Sequence, residues 1–394
     1  MSEPIVRIAA RGDGVTAGGR HAAFAAPGDL LLDDGTIEPG PGHQAAPCRH
    51  FPECGGCQLQ HLTDIAYAAY CEQRIAGALA QHGLSTEIRP ALLSPPRSRR
   101  RASLHALRSG GGVAIGFHEG QSTRVVDLRE CHVLAPKLFA LLAPLRGLLA
   151  TMIRPKGLAS VQLTLADQGV DVGLCGVEAE GLAAAEAVTA FGKKYGLARL
   201  SLDEGFGAEV RFEPVPATIT LSGMAVSLPV GAFLQATREG EAALIAAVRQ
   251  ATEGSQKVAD LFAGLGTFAH AISGDVTAAE ASRDAILSLR AAAGRVGRPV
   301  TTAHRDLYRN PLQTNELNSF DAVVLDPPRA GAAEQVATLA TSTVNHVAYV
   351  SCNPATFARD AQKLVGGGYR LDWVQPVGQF RWSTHVELAG CFSR

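Results

Sequence analysis

Cys352 stands at the end of an apolar run, Tyr349-Val350-Ser351-Cys352-Asn353-Pro354, which reads as a buried strand. A thiol delivered to a strand end is a candidate nucleophile, whereas the plainer reading is a small buried hydrophobe. Two earlier strand ends carry acids. Asp260-Leu261-Phe262-Ala263-Gly264-Leu265-Gly266 places one before a glycine turn, and Leu325-Asp326-Pro327-Pro328-Arg329 places another before two prolines. In an open α/β sheet ligands bind outside the carboxyl ends of the strands, so the three ends are expected to share one crevice.

Gly264-Leu265-Gly266-Thr267-Phe268-Ala269 fits G-x-G-x-x-A after a strand, and Glu280 ends the next strand, where an acid binds ribose hydroxyls. Asp306 follows the third strand. A dinucleotide or S-adenosylmethionine would satisfy this pattern. Asp260, placed to meet a cationic methionine moiety, and the acid-proline pair at Asp326 favour the methyl donor. Enzymes that methylate amide nitrogens usually place an aromatic after Pro-Pro, and here that position is Arg329. Cytosine-C5 enzymes carry a cysteine after the proline, and none is present. Cys352 therefore points to a pyrimidine carbon: C5 of uracil is a poor nucleophile until a thiolate adds to C6. After methyl transfer the C5 proton must leave, which needs a base. Glu387, on the apolar terminal run His385-Val386-Glu387-Leu388-Ala389-Gly390-Cys391, is the candidate; a salt-bridged structural acid is the alternative.

Cys48, Cys54 and Cys57 form a second constellation, with Cys131 far downstream. Three clustered thiols and a remote fourth match iron-sulfur patterns. A four-cysteine zinc site is the competing reading, although structural zinc more often pairs two C-x-x-C units. Cys71, Cys175 and Cys391 sit in apolar segments and read as core.

The elements that position these groups follow from the patterning. Strands are expected at Lys257 to Phe262, Val276 to Glu280, Val300 to Ala303, Ala322 to Leu325, His346 to Ser351, Tyr369 to Pro376 and Val386 to Phe392, with helices between most of them, giving a doubly wound sheet. The middle of the chain reads as α+β, with a helix over residues 63–83 opened by Thr63 and Asp64. Before the Gly/Pro linker at Gly35 to Pro47, short β-type runs suit part of a small barrel, with fewer residues than five barrel strands need. With 394 residues and 46% hydrophobic content the chain can form two or three domains. A net charge of -1 decides nothing about nucleic acid. From Ile88 to His118, however, six arginines occur without an acid, a locally positive surface if exposed, which reads either as RNA-binding or as a solvated face or proline-flanked loop. No apolar run suits a membrane span or signal peptide, so a cytoplasmic protein with eight reduced, metal-bound or catalytic cysteines is expected.

Together these motifs resemble the class I RNA uracil-5 methyltransferases, and most closely the bacterial 23S ribosomal RNA uracil-5 methyltransferases that carry a [4Fe-4S] cluster. The resemblance rests on the cysteine set, Phe233-Leu234-Gln235, the Asp260 to Gly266 turn, Asp326-Pro327-Pro328-Arg329, Ser351-Cys352-Asn353-Pro354 and Glu387. It implies an α/β fold with a C-terminal Rossmann-like methyltransferase sheet (231–394), an α+β iron-sulfur and RNA-binding middle domain (47–230), and a truncated N-terminal OB/TRAM-like segment (1–46). The helix over 63–83 would pack on the methyltransferase domain. It further implies S-adenosylmethionine held by Gln235, Phe262, Glu280, Asp306 and Asp326, the cluster held by Cys48, Cys54, Cys57 and Cys131, Cys352 as nucleophile and Glu387 as base. The partner would be RNA, 23S rRNA first, met by a monomer away from membranes. The alternatives are a tRNA uridine, an inactive iron-sulfur RNA-binding protein, and a nicotinamide-dependent oxidoreductase.

Overall fold

A computed structural model describes residues 2–394. Two compact units form from interleaved stretches of chain. One contains residues 2–47, Gln58–Ser94 and Glu239–Arg394, and the other Cys48–Cys57 and Pro95–Arg238.

The first unit is built on seven strands: β1 (Lys257–Leu261), β2 (Asp275–Glu280), β3 (Val300–His304), β4 (Ala322–Leu325), β5 (His346–Ser351), β6 (Arg370–Gly378) and β7 (Glu387–Ser393). Their order is β3-β2-β1-β4-β5-β7-β6, parallel except for β7, which runs antiparallel between β5 and β6. Period-two alternation buries both faces. Val323 and Leu325 enter one apolar core with Val347 and Tyr349, while Ala322 and Val324 enter the other with Ala348 and Val350. The crossovers put helices on the sheet. Helix Pro354–Gly366 starts where Asn353 caps it and proline preorganises its first turn.

The sheet edge departs from the expected pattern. The edge beyond β6 is covered by two short strands, Glu87–Ile88 and Leu92–Leu93, both parallel to it. Helix Asp64–Gln81, capped by Thr63, packs on helix Pro354–Gly366 and on β6. Residues Gln58–Ser94 thus complete the C-terminal sheet's unit. The N-terminal stretch also fits five strands, because three of them are only two residues long; they form one sheet.

The second unit is a six-stranded sheet in the order 208–212, 199–203, 169–175, 158–166, 101–109, 112–116. Helices Pro136–Met152 and Gly181–Lys194 supply much of its core. Cys175, expected in a core, is exposed at a strand end. Among the described residues no helix is long and apolar enough to cross a membrane.

Candidate active site

Near the end of β1, Asp260 is fully buried, and its Oδ2 accepts the Ala269 N–H at 2.8 Å. Its Oδ1 is buried without a hydrogen-bond partner among the described residues. Burial, joined by the charges of Asp326 and Glu280, pushes this carboxyl up to about 8. Phe262 follows with φ of 64°, a left-handed conformation costing an aromatic residue on the order of 1–3 kcal/mol. The turn tightens at Gly266, where a Cβ would meet Leu289 at 2.8 Å and the His270 ring at 2.9 Å. Glu280, at the end of β2, holds the turn from the adjacent strand. Its Oε2 accepts the Gly264 N–H at 2.9 Å and its Oε1 the Ser282 N–H at 2.6 Å.

Beyond β3, Asp306 Oδ1 accepts the Tyr308 and Arg309 N–H groups at 3.0 and 3.3 Å. The resulting bend packs the Tyr308 ring on Phe262, centroids 5.5 Å apart, and lets its hydroxyl donate to the Gly331 carbonyl at 3.0 Å. Tyr308 escaped the sequence reading, though an aromatic two residues after a strand-end acid was a usable signal.

Asp326 follows β4; burial and the charge of Glu280 push it up to about 7. Cys352 follows β5 and is half-buried. Burial first, then the charges of Glu387 and Asp326, push its thiol up to about 11, against the opposing charge of Arg329. Glu387 opens β7 and is buried. Loss of solvent and the charge of Asp326 push it up to about 8, opposed by a hydrogen bond that Gln379 Nε2 donates to Oε2 at 2.9 Å. Asn353 ties the segment together: its Oδ1 accepts the Ala355 N–H at 3.1 Å and its Nδ2 donates to the Arg329 carbonyl at 3.2 Å. The Arg329 guanidinium in turn lies 3.3 Å from His385 Nδ1.

Glu280, Asp260, Asp326, Glu387 and Cys352 are thus brought together, each exerting or feeling the charge of at least one of the others. A crevice lined in this way favours a cationic ligand and offers a proton acceptor beside its thiol. Gln235 belongs to the second unit, where it is buried and its carbonyl accepts the Arg100 Nε–H at 3.0 Å.

In the second unit the segment carrying Cys48, Cys54 and Cys57 is laid against the loop before Cys131. Gly55 N–H donates to the His118 carbonyl at 2.9 Å, Arg49 N–H to Glu130 at 2.5 Å, and Arg129 N–H to His50 Nε2 at 2.9 Å. A Cβ on Gly55 would lie 2.6 Å from the His118 oxygen, so glycine permits the approach. Cys48 and Cys54 each feel the charge of Cys131, and Arg99 feels those of Cys57 and Cys131. Among the described residues, no three His, Cys, Asp or Glu side chains are grouped as ligands of a single metal ion.

The arginine run does not form the exposed positive face that its composition allowed. Arg100 is 2% exposed. Arg99 and Arg101 are half-buried, over Phe117 and Phe233, and Arg108 donates to the Ile153 carbonyl at 2.6 Å. Arg89 stacks on Trp373, 3.7 Å from the ring centroid. Of the six, Arg97 is exposed; the others are spent on packing.

Residues 277–394 match the family model described as tRNA (uracil-5-)-methyltransferase. An uncharacterized RNA methyltransferase of Zymomonas mobilis is 47% identical over 99% of each chain. The 23S rRNA (uracil(1939)-C(5))-methyltransferase RlmD of Thiobacillus denitrificans is 30% identical, over 88% of this chain and 85% of its own. Among solved structures, the Pyrococcus abyssi tRNA (uracil-54, C5)-methyltransferase in complex with S-adenosyl-L-homocysteine superposes with a TM-score of 0.74 over 100% of both chains at 22% identity, a likeness of fold.

Proposed function

Because the chain belongs to the RNA (uracil-5-)-methyltransferase family, we propose that it methylates C5 of a uridine in 23S rRNA, with Cys352 as nucleophile and Glu387 as base. The observation that carries this reading is the position of one thiol beside a buried carboxylate at the acid-lined strand ends.

S-Adenosylmethionine, when bound, supplies the electrophilic methyl group. The residues present fit it: the unpartnered Oδ1 of Asp260 can accept a donor N–H, and Glu280 lies where a ribose hydroxyl is bound in such sheets. Phe262, Asp306 and Asp326 are proposed to complete the donor site, and Gln235 is proposed from the family motif. The Cys352 thiolate adds to C6 and displaces the C5=C6 pair into an enolate, so that C5 can take the methyl group with S-adenosylhomocysteine as the leaving group. Once C5 carries the methyl group, Glu387 takes the C5 proton, the C5–H pair forms the C5=C6 bond, and the C6–Sγ bond breaks to return the thiolate.

We also propose that Cys48, Cys54, Cys57 and Cys131 hold a [4Fe-4S] cluster. Cys48 feels the charge of Cys131, and Cys54 those of Cys131 and Cys48; the reading rests on the spacing of the four cysteines. Structural zinc more often pairs two C-x-x-C units than three clustered cysteines with a remote fourth. The cysteine set and the RlmD relative both favour 23S rRNA. The tRNA-named family model covers only residues 277–394 and bears on the chemistry more than on the choice of RNA. Mapping 5-methyluridine by mass spectrometry in RNA from a deletion strain tests the target. Loss of one 23S site supports the reading, and loss confined to tRNA contradicts it.

A further inference from the structure

β6 and β7 form an antiparallel pair in which Val377 faces Glu387, and the chain between them turns over residues 379–386. Gln379, the first residue after β6, is 1% exposed, and Glu387 is 4% exposed. The 2.9 Å bond from Gln379 Nε2 occupies Oε2 of Glu387 and leaves Oε1 for the proton. We infer that Gln379 is a positioning residue that aims Glu387 and holds it as the carboxylate able to remove the C5 proton. The inference rests on the reading of Glu387 as the base.

The surroundings explain why a carboxamide is needed. Asp326 faces Glu387 from the end of β4 and Cys352 from the end of β5, while Arg329 faces Cys352 and touches His385. Solvent loss and the Asp326 charge both favour the protonated acid, which cannot accept a proton. The Gln379 bond opposes them. An acid at position 379 would add a like charge, and an apolar side chain would leave Oε2 desolvated without a donor.

The test uses Gln379→Met, close in volume, with labelled S-adenosylmethionine and total RNA from a strain lacking the gene. The covalent enzyme–RNA species should form at the wild-type rate. Its breakdown at pH 7 should slow roughly ten-fold, and the rising limb of the pH–rate profile should move up by about one unit, so that activity returns near pH 9. Gln379→Asn, which shortens the reach, should behave alike and decides the matter if the methionine variant does not fold. An equal loss at every pH, with slower adduct formation, would reduce Gln379 to a structural role and overturn the inference. Glu387→Gln separates the two readings. If it turns over normally, the base assignment fails; if it blocks breakdown while Gln379→Met and Gln379→Asn keep the wild-type profile, only the inference about Gln379 fails.

Discussion

Cys352 and Cys54 are both pushed up to about 11 by burial, and both sit in segments closed by glycine or proline, yet their neighbours differ. Cys352 faces two carboxylates and one guanidinium. Cys54 faces two other thiols, Cys131 and Cys48. At pH 7 a thiol with such a value is ionised only about once in 10⁴ molecules. The two regions answer this problem differently. At Cys352 burial first, and then the neighbouring acids, oppose the thiolate, so a cationic ligand would ease its formation. Around Cys54 the partners are themselves potential thiolates, and a metal centre that displaces their protons would relieve all four together. Under the proposed function, one region would carry transient covalent chemistry and the other permanent ligation.

The largest expected effect breaks this comparison at the catalytic end. Cys352→Ala should lower methyl transfer on the order of 10⁴-fold or more while leaving S-adenosylmethionine binding intact by calorimetry. Retained turnover would make Cys352 a core residue. At the other end, Cys54→Ser should bleach the broad absorption near 400 nm expected of anaerobically purified protein and destabilise the second unit by several kcal/mol, because ligation energy is partly folding energy. A colourless wild-type protein with one zinc per chain would replace the cluster.

A smaller effect sharpens the electrostatic side. The folded value of Asp260, about 8, lies above its ordinary 3.8. The folded protein therefore binds the extra proton between these values, and this contribution to stability is full below about pH 4 and lost as pH rises through about 8. Asp260→Asn should raise unfolding free energy at pH 7 by roughly 2 kcal/mol, flatten its pH dependence over that window and weaken methyl-donor binding. Denaturant titrations at pH 5 and 8 check the sign, and a destabilised variant with an unchanged slope would contradict it. The smallest effect concerns Arg97. Arg97→Ala should change stability by less than about 0.5 kcal/mol and the salt slope of RNA binding by at most about one.

The strands of the candidate site were legible because each is a short apolar run bounded by turn residues, and Asp260, Asp326 and Cys352 fall at or near their ends. Other features carried no comparable pattern. Glu87–Ile88 and Leu92–Leu93 are too short for alternation to register, so the membership of Gln58–Ser94 in the first unit depends on contacts distant in sequence. Helix Pro136–Met152 is apolar nearly all round and contains Pro144, which hides its period. The arginine run misleads because Arg100 and Arg108 satisfy backbone carbonyls, and charge counting cannot distinguish that from a solvent-facing patch. Gln379 gives no signal at all until the β6–β7 register sets it beside Glu387.

The central claim is that Cys352 and Glu387 act at opposite ends of one covalent cycle. The most direct test incubates Glu387→Gln with methyl-labelled S-adenosylmethionine and RNA from a deletion strain, then resolves the mixture under denaturing conditions and sequences the labelled peptide. The account predicts a denaturant-resistant protein–RNA species that carries the methyl label and maps to Cys352. Wild-type turnover by Glu387→Gln, or a labelled adduct that maps elsewhere or persists in Cys352→Ala, would contradict it.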